Sequence, residues 1–482
     1  MVKFNGKILV IGCGSVSQCT IPLILKHIKV PPQNITIMDF VDNRAQIHES
    51  LTQGVRYTQK QITQSNYKKV LSSFVKSGDL IIDLAWNIDC CAILQWCHDH
   101  NVLYVNTSVE LWDPYNGVDG ADPTSKTLYV RHIAIREMVK RWKTKGATAV
   151  LEHGANPGLV SHFTKSALLD IANKIIDSKP KDKRVSQLKS NIRSKNFPKL
   201  AQLSGVKVIH ISERDTQISN RPKEVNEFVN TWSIEGFREE GIAPAEMGWG
   251  THERYLPRHA HYHSYGHNNQ ICLSQPGMKT WVKSWVPAGE IRGMVIRHGE
   301  AYTISNYLTV WENSKPVYRP TVHYAYCPCD AAINSIHEFE MRNYDLQKNQ
   351  RIMGDEIVSG RDELGVLLMG HDFKSWWTGS LLDIEETRRL VPHQNATTLQ
   401  VACSVIACVE WMIKNPKQGV CVPDDLPHEQ ILKIAKPYLG PIISRAVDWT
   451  PLKNHVNLFR NYNGPERGNQ DVWQFINFLV TT

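Results

Sequence analysis

Gly12-Cys13-Gly14-Ser15-Val16-Ser17 near the N-terminus, with Asp39 about 27 residues after Gly12, form a pattern suited to holding an anion against the main chain. Gly12 permits a tight turn, and Gly14 lets the main chain approach a diphosphate. A helix opening at Ser15 and Val16 would aim its free N–H groups and partial positive charge at the same anion. The third position of the usual glycine pattern is Ser17, which predicts a slightly looser contact between helix and strand. A carboxylate at Asp39 would accept hydrogen bonds from a ribose diol and repel a 2′-phosphate, so the pattern points to NAD rather than NADP. A glycine pair alone could be a mere turn. Here it follows a strand-like run, opens a helix-like stretch and is answered by Asp39 at the next strand end.

A second group of residues follows a strand-like stretch at 147–151. Glu152-His153-Gly154-Ala155-Asn156-Pro157-Gly158 carries the Gly and Pro signals of a loop ahead of a helix start. In an open α/β sheet such a strand end lies on the ligand side. The segment is either a plain Asn-Pro turn or a loop that brings the Asn156 amide to a nicotinamide or a substrate. Further along, Glu213, Asp215, Trp232, Glu235, Glu239, Glu240, Glu246 and Trp249 concentrate acids and indoles in a chain of net charge +8. Such an excess is either solvated surface or a pocket for a cationic ligand, where carboxylates pair with ammonium groups and an indole face adds a cation–π contact. His259, His261, His263 and His267 match no common zinc spacing, and Cys327-Pro328-Cys329 is CxC. No metal is expected, and the histidines are assigned to a surface or interface loop. With no Gly-x-Ser-x-Gly elbow or Walker loop, hydrolase and NTPase chemistry lacks support.

The elements that must position these residues are legible in outline. Strand-like runs at 7–11, 34–39, 80–84, 103–106 and 147–151 alternate with helical stretches after residue 15, around 89–100 and at 126–143, implying a parallel sheet with right-handed crossovers. From about 200 the strand-like runs are denser, at 206–211, 293–297, 303–307 and 322–326. The expected class is α/β, a Rossmann-type domain over 1–152 followed by an α+β substrate and dimerisation domain over 153–482. An apolar helix near 394–412 would either return to the first domain or form a subunit interface. At 482 residues, with 42% hydrophobic and 21% charged residues, the chain has the profile of a globular protein of two domains or of one elaborated α/β unit. No stretch approaches the roughly 20 apolar residues of a membrane span, and the N-terminus runs straight into a strand without room for a signal peptide. Eleven cysteines without disulfide spacing suit reduced thiols in a cytoplasm. The basic run at 179–199 is broken by Pro180 and Asp182 and reads as solvated surface, so no nucleic-acid partner is expected.

Taken together these residues resemble the bacterial-type, NAD-dependent homospermidine synthases, relatives of saccharopine dehydrogenase. The likeness runs nearly end to end. It is carried by the Gly12–Gly14 turn and Gly154-Ala155-Asn156-Pro157-Gly158, which saccharopine-type relatives could share. More specific are Ile211-Ser212-Glu213-Arg214-Asp215, Asn230-Thr231-Trp232-Ser233-Ile234-Glu235-Gly236, Gln275-Pro276-Gly277-Met278, Ile296-Arg297-His298-Gly299-Glu300 and Asp362-Glu363-Leu364-Gly365. The resemblance implies transfer of an aminobutyl group from putrescine or spermidine to putrescine through an imine, with hydride lent to NAD and recovered, in a homodimer. It implies that Trp232 holds a cationic intermediate on its indole face and that Glu213 and Glu240 line the substrate channel. His298 is expected to shuttle protons with its pKa in the useful range. Glu110 would face the cleft after the fourth strand, with Thr107 beside it on the cofactor. Asp362 is expected either at the distal amine or as a helix cap, and no lysine is assigned a covalent role. The alternatives are a saccharopine-type oxidoreductase, which would want an arginine for a substrate carboxylate, and a non-catalytic sensor of NAD or polyamine.

Overall fold

The protein is represented by a computed structural model that describes residues 1–115, 120–453 and 471–480. Its first sheet has seven parallel strands in the order Val420–Cys421, Ala149–Val150, Leu103–Asn106, Leu80–Asp83, Ile8–Ile11, Ile35–Asp39 and Arg56–Gln59. Ile8–Ile11 is buried along its whole length, as its unbroken apolar run requires of a central parallel strand. The chain runs from this strand to Ile35–Asp39 on one side and then returns to Leu80–Asp83 on the other. That reversal opens a crevice beyond the strand ends. Gly12 sits there at φ +90°, where a Cβ would come within 2.9 Å of the Leu84 carbonyl oxygen. Glycine is therefore needed twice over, for the backbone conformation and for the close approach.

Helix Ser15–His27 follows at once. The third position of the glycine pattern is not loose: the Ser17 hydroxyl, fully buried, donates to the Gly12 carbonyl at 2.7 Å and ties the helix to its turn. Helix Cys90–His100 starts where the Asp89 carboxylate accepts from Ala92 N, and helix Leu128–Lys140 occupies the stretch expected at 126–143.

The second sheet has ten strands. Ala260–Tyr262, Gln270–Pro276, Pro244–Gly248, Thr321–Cys327, Val208–Asp215, Arg361–His371, Lys374–Asp383 and Ile442–Val447 lie in that order. The hairpin Trp281–Val286 and Gly289–Met294 joins at Thr321–Cys327. Only the central pair, Val208–Asp215 with Thr321–Cys327, is parallel; the remaining pairs are antiparallel. The register sets Tyr326 beside Glu213, Glu213 beside Leu364, and Asp215 beside Asp362. With a two-residue side-chain period, Glu213, Asp215, Asp362, Tyr324 and Tyr326 share one face.

Residues 303–307, expected as a strand, belong to helix Glu300–Tyr307. Six consecutive residues from Glu300 to Ser305 are buried, so the segment shows no polar face and its β-branched content mimics a strand. The run at 147–151 contributes only two paired residues, and that at 293–297 pairs instead as Gly289–Met294.

The late apolar helix spans Ala396–Lys414, starts where the Asn395 side chain accepts from Thr398 N at 2.8 Å, and packs along Ser15–His27. Contrary to the sequence expectation it is long and apolar enough to cross a membrane by length and composition, yet most of it is buried inside the fold. Just beyond it, Val420–Cys421 completes the edge of the first sheet, so residues far past 152 are built into the Rossmann layer. One buried cluster runs continuously from Ile8 and Val10 through Leu399 and Val405 to Ile209 and Ile211, locking the two sheets together.

All eleven cysteines are free, and no group of three or more His, Cys, Asp or Glu among the described residues could hold a metal ion. His259, His261 and His267 are exposed, but His263 is buried, bonded to the Thr127 hydroxyl and the Gln270 carbonyl, so it is a packing residue rather than part of a surface loop.

Candidate active site

A cleft of about 1100 Å³ lies between the C-terminal strand ends of the first sheet and the acidic face of the second. Val16, Thr107, Glu110 and Asn156 line it from the first side; Glu213, Trp232, Glu240 and His298 line it from the second. These eight residues, all singled out from the sequence, thus meet in one cavity, although they are up to 282 positions apart (298 − 16). Gly12, Gly14, Ser15 and Asp39 form the turn beside it. Asp362 stands behind the wall: it is fully buried in strand Arg361–His371, accepts from the Thr397 hydroxyl at 2.6 Å and is not a helix cap.

The turn fits a dinucleotide. No side chain caps the N-terminus of Ser15–His27, and nothing lies within 4 Å of the place a Cβ would take on Gly14. First-turn N–H groups therefore remain for an anion. The Asp39 carboxylate does two jobs. It accepts from Cys13 N at 2.6 Å and from Val41 N at 3.0 Å, fixing the turn, while keeping further lone pairs for a diol. Burial, with Asp39 nearby, pushes the Cys13 thiol up to about 12, so this cysteine stays an unreactive thiol.

Glu213 is the centre of the second wall. One of its oxygens, Oε2, accepts from the Asn156 amide at 2.7 Å and from the Tyr324 hydroxyl. Burial pushes its carboxyl up to about 7, with Asp215 adding repulsion and the two donors pulling back. Behind it, burial raises Asp215, and burial together with repulsion from Glu213 and Asp215 holds Asp362 well above the usual carboxylate range. Burial and the proximity of Glu239 push Glu110 up to about 8 on the opposite wall, while the Ser108 hydroxyl donates to it at 2.7 Å. Trp232 is half-buried, edge-on to Phe237, with its indole N–H donating to the Tyr326 hydroxyl at 3.0 Å. Tyr326 in turn stacks on Tyr324 at 5.2 Å between ring centres. The Glu213 carboxyl and the Trp232 indole are therefore held by one pair of stacked tyrosines.

His298 is not the near-neutral shuttle expected from the sequence. Its Nε2 lies 2.9 Å from Glu240 and its Nδ1 3.2 Å from Glu300. Burial disfavours its charge, but the two carboxylates outweigh it and keep the imidazolium protonated well above the usual range. The adjacent acids are also resolved. Glu239 takes both Arg131 at 2.5 Å and Arg297 at 2.6 Å. Against the effect of burial, those cations hold it down at about 2, leaving Glu240 for His298. Sequence reasoning missed Tyr324, Glu152, Arg131 and Arg297. The motif around Arg297-His298-Gly299 was the one available signal for the last.

Fold and site together define an enzyme of the dinucleotide-binding α/β class, with an acid-rich cleft between its two sheets. Residues 8–150 match the family model of the saccharopine dehydrogenase NADP binding domain, and 154–447 that of the saccharopine dehydrogenase C-terminal domain. A homospermidine synthase from Blastochloris viridis is 40% identical over 99% of this chain and 98% of its own length. One from Mesorhizobium japonicum is 38% identical over 99% and 97%. The crystal structure of the Legionella pneumophila homospermidine synthase in complex with NAD is 38% identical, with a TM-score of 0.86 over 100% of this chain and 99% of that one. The chain belongs to the homospermidine synthase family, within the saccharopine dehydrogenase group.

Proposed function

We propose that the protein catalyses NAD-dependent synthesis of homospermidine, moving an aminobutyl group from putrescine or spermidine to putrescine and releasing ammonia or 1,3-diaminopropane. The observation that carries this reading is the charge arrangement of the cleft. Glu110, Glu213 and Glu240 line it, while its two arginines, Arg131 and Arg297, are both engaged by Glu239. Among the described residues of the cleft no guanidinium is left free for a substrate carboxylate, whereas an ammonium finds several acids. That counts against the reductive-amination alternative, which needs a carboxylate clamp.

NAD supplies an acceptor for the hydride of the aminobutyl carbon and, once reduced, the donor that returns it. Gly12, Gly14, Ser15, Val16, Asp39 and Thr107 are the residues that hold it. Glu213, titrating near neutrality in its protein environment, removes the proton from a substrate ammonium. The Asn156 amide and the Tyr324 hydroxyl hold the carboxylate in place while it does so. The Trp232 face stabilises cationic forms of the substrate, and the His298 imidazolium, held from behind by Glu300, fixes the Glu240 carboxylate at the cleft wall. Glu110 on the facing wall offers carboxyl oxygens to a substrate amine, and Asp362 stands behind Glu213 in the same buried carboxyl cluster. The working form we propose is a cytoplasmic homodimer.

Purified protein incubated with putrescine and NAD should yield homospermidine by mass without accumulation of NADH. Stoichiometric NADH would instead mark a simple dehydrogenase, and absence of turnover a sensor. For the cofactor, Asp39→Ser should weaken NAD binding about 10- to 100-fold by calorimetry, the worth of a charged hydrogen bond, and narrow the preference over NADP. Unchanged NAD affinity would remove Asp39 from the ribose.

A further inference from the structure

The reaction proposed above moves protons out of its own centre and back again. Two nitrogens enter as ammonium, and each loses one proton, the first before its carbon can give up hydride and the second before it can attack. Two protons return when the leaving ammonia and the new secondary amine become ammonium, so the net change over a turnover is zero.

Glu152 and His132 link this cleft to a second one. Glu152 lines the active cleft with its carboxylate packed on the Cα of Gly299, where a Cβ would fall 2.0 Å from Oε2. The same oxygen is 2.8 Å from Nε2 of His132. His132, on helix Leu128–Lys140, borders a separate groove of about 1210 Å³ walled by Arg136, Lys140, His267 and Asp425 among others. Glu152 is 1% exposed and His132 2%, so the pair itself is closed to bulk water. Glu152 also holds a left-handed backbone at φ +58°, unfavourable for a residue with a side chain, and its N–H donates to the Asn106 side chain at 2.8 Å. Tyr302 packs on the His132 ring at 5.1 Å and carries the Arg136 guanidinium over its own ring at 5.2 Å, and Glu246 lies within electrostatic range of Glu152. A buried acid is thus kept in a strained conformation, with one hydrogen-bonded histidine between it and the outer groove.

We propose that Glu152 and His132 form a proton relay between the reaction cleft and the outer groove; the proposal rests on the homospermidine reading. On the outward leg the Glu152 carboxylate takes a proton from the cleft and passes one to His132 Nε2, while the other ring nitrogen gives its proton to water in the groove. On the return leg that nitrogen is reprotonated and Nε2–H goes back through Glu152 to the leaving ammonia or the product amine. Because equal numbers of protons travel each way, the ring recovers its starting tautomer without turning over.

The test compares wild type with His132→Gln and His132→Ala, each first shown to bind NAD with wild-type affinity. Homospermidine production is followed at low buffer concentration, then with rising imidazole. The expected result is a fall in kcat of about tenfold or more with KM for putrescine little changed, and recovery as imidazole takes up the proton transfer. The Ala variant should recover most, because it leaves room for the imidazole ring. Wild-type kcat in either folded variant, or a loss equally deep at every imidazole concentration, overturns the relay. If only one variant folds, that one decides. Failure of the wild-type protein to make homospermidine overturns the underlying reading instead, so the two failures are separable.

Discussion

Glu213→Gln is expected to lower kcat for homospermidine formation by about 10²- to 10⁴-fold, the usual worth of a positioned general base. Glutamine keeps the volume of the side chain and an oxygen that can accept from Asn156 and Tyr324, the two donors that hold the native carboxylate. What it removes is the capacity to take a proton. Burial places the Glu213 carboxyl at about 7, so the wild-type rate should rise with pH through that value as the carboxylate forms. In the variant this limb should vanish. A variant that retains the limb would show that another acid is the base, with Glu110, pushed up to about 8 on the facing wall, the next to test.

The same shift makes a stability prediction whose sign is fixed. Glu213 titrates higher in the folded chain than the ordinary value of 4.5, so the folded state binds its proton more tightly than the unfolded state does. Its contribution is fully present below about 4.5 and is lost as pH rises through about 7. A glutamine never ionises. Thermal unfolding should therefore show Glu213→Gln gaining on wild type between pH 5 and pH 8. A constant difference over that range would mean that the burial of this carboxyl is relieved in solution.

Trp232→Leu is the second large effect. A cation–π contact out of bulk water is worth about 2 kcal/mol, or roughly 30-fold in kcat/KM. Leucine supplies apolar volume without a quadrupole. Trp232→Phe should fall between the two, since it keeps an aromatic face but loses the 3.0 Å bond to Tyr326 that fixes the indole. The ordering Trp, Phe, Leu in steady-state kinetics is the signature of an aromatic face acting on a cation. Equal losses in Phe and Leu would mean instead that the indole N–H and its anchor are what matters.

Much of the first unit could be read directly from the sequence because its signals are local. The Gly12–Gly14 turn, the strand at Ile8–Ile11 and the carboxylate closing Ile35–Asp39 follow from backbone sterics and short-range pattern. Family resemblance then named Glu213, Trp232, Glu240 and His298, and the fold brings them to one cleft. The alternating pattern failed at Glu300–Tyr307 because a helix buried on all sides has no polar face to display. Ser17 was misjudged because the missing glycine is replaced by a hydrogen bond that only the folded turn makes.

Residue type and spacing alone determined that a nucleotide turn exists and that acids and indoles are concentrated after residue 200. Tertiary structure alone decided what each acid does. Glu239 and Glu240 are neighbours in the chain, yet one is spent on two arginines and the other meets His298. His298 is an ordinary histidine by sequence, but it is clamped between carboxylates drawn from two different helices. Protonation states depend on burial and on partners tens to hundreds of positions away, and those distances are set only when the two sheets pack.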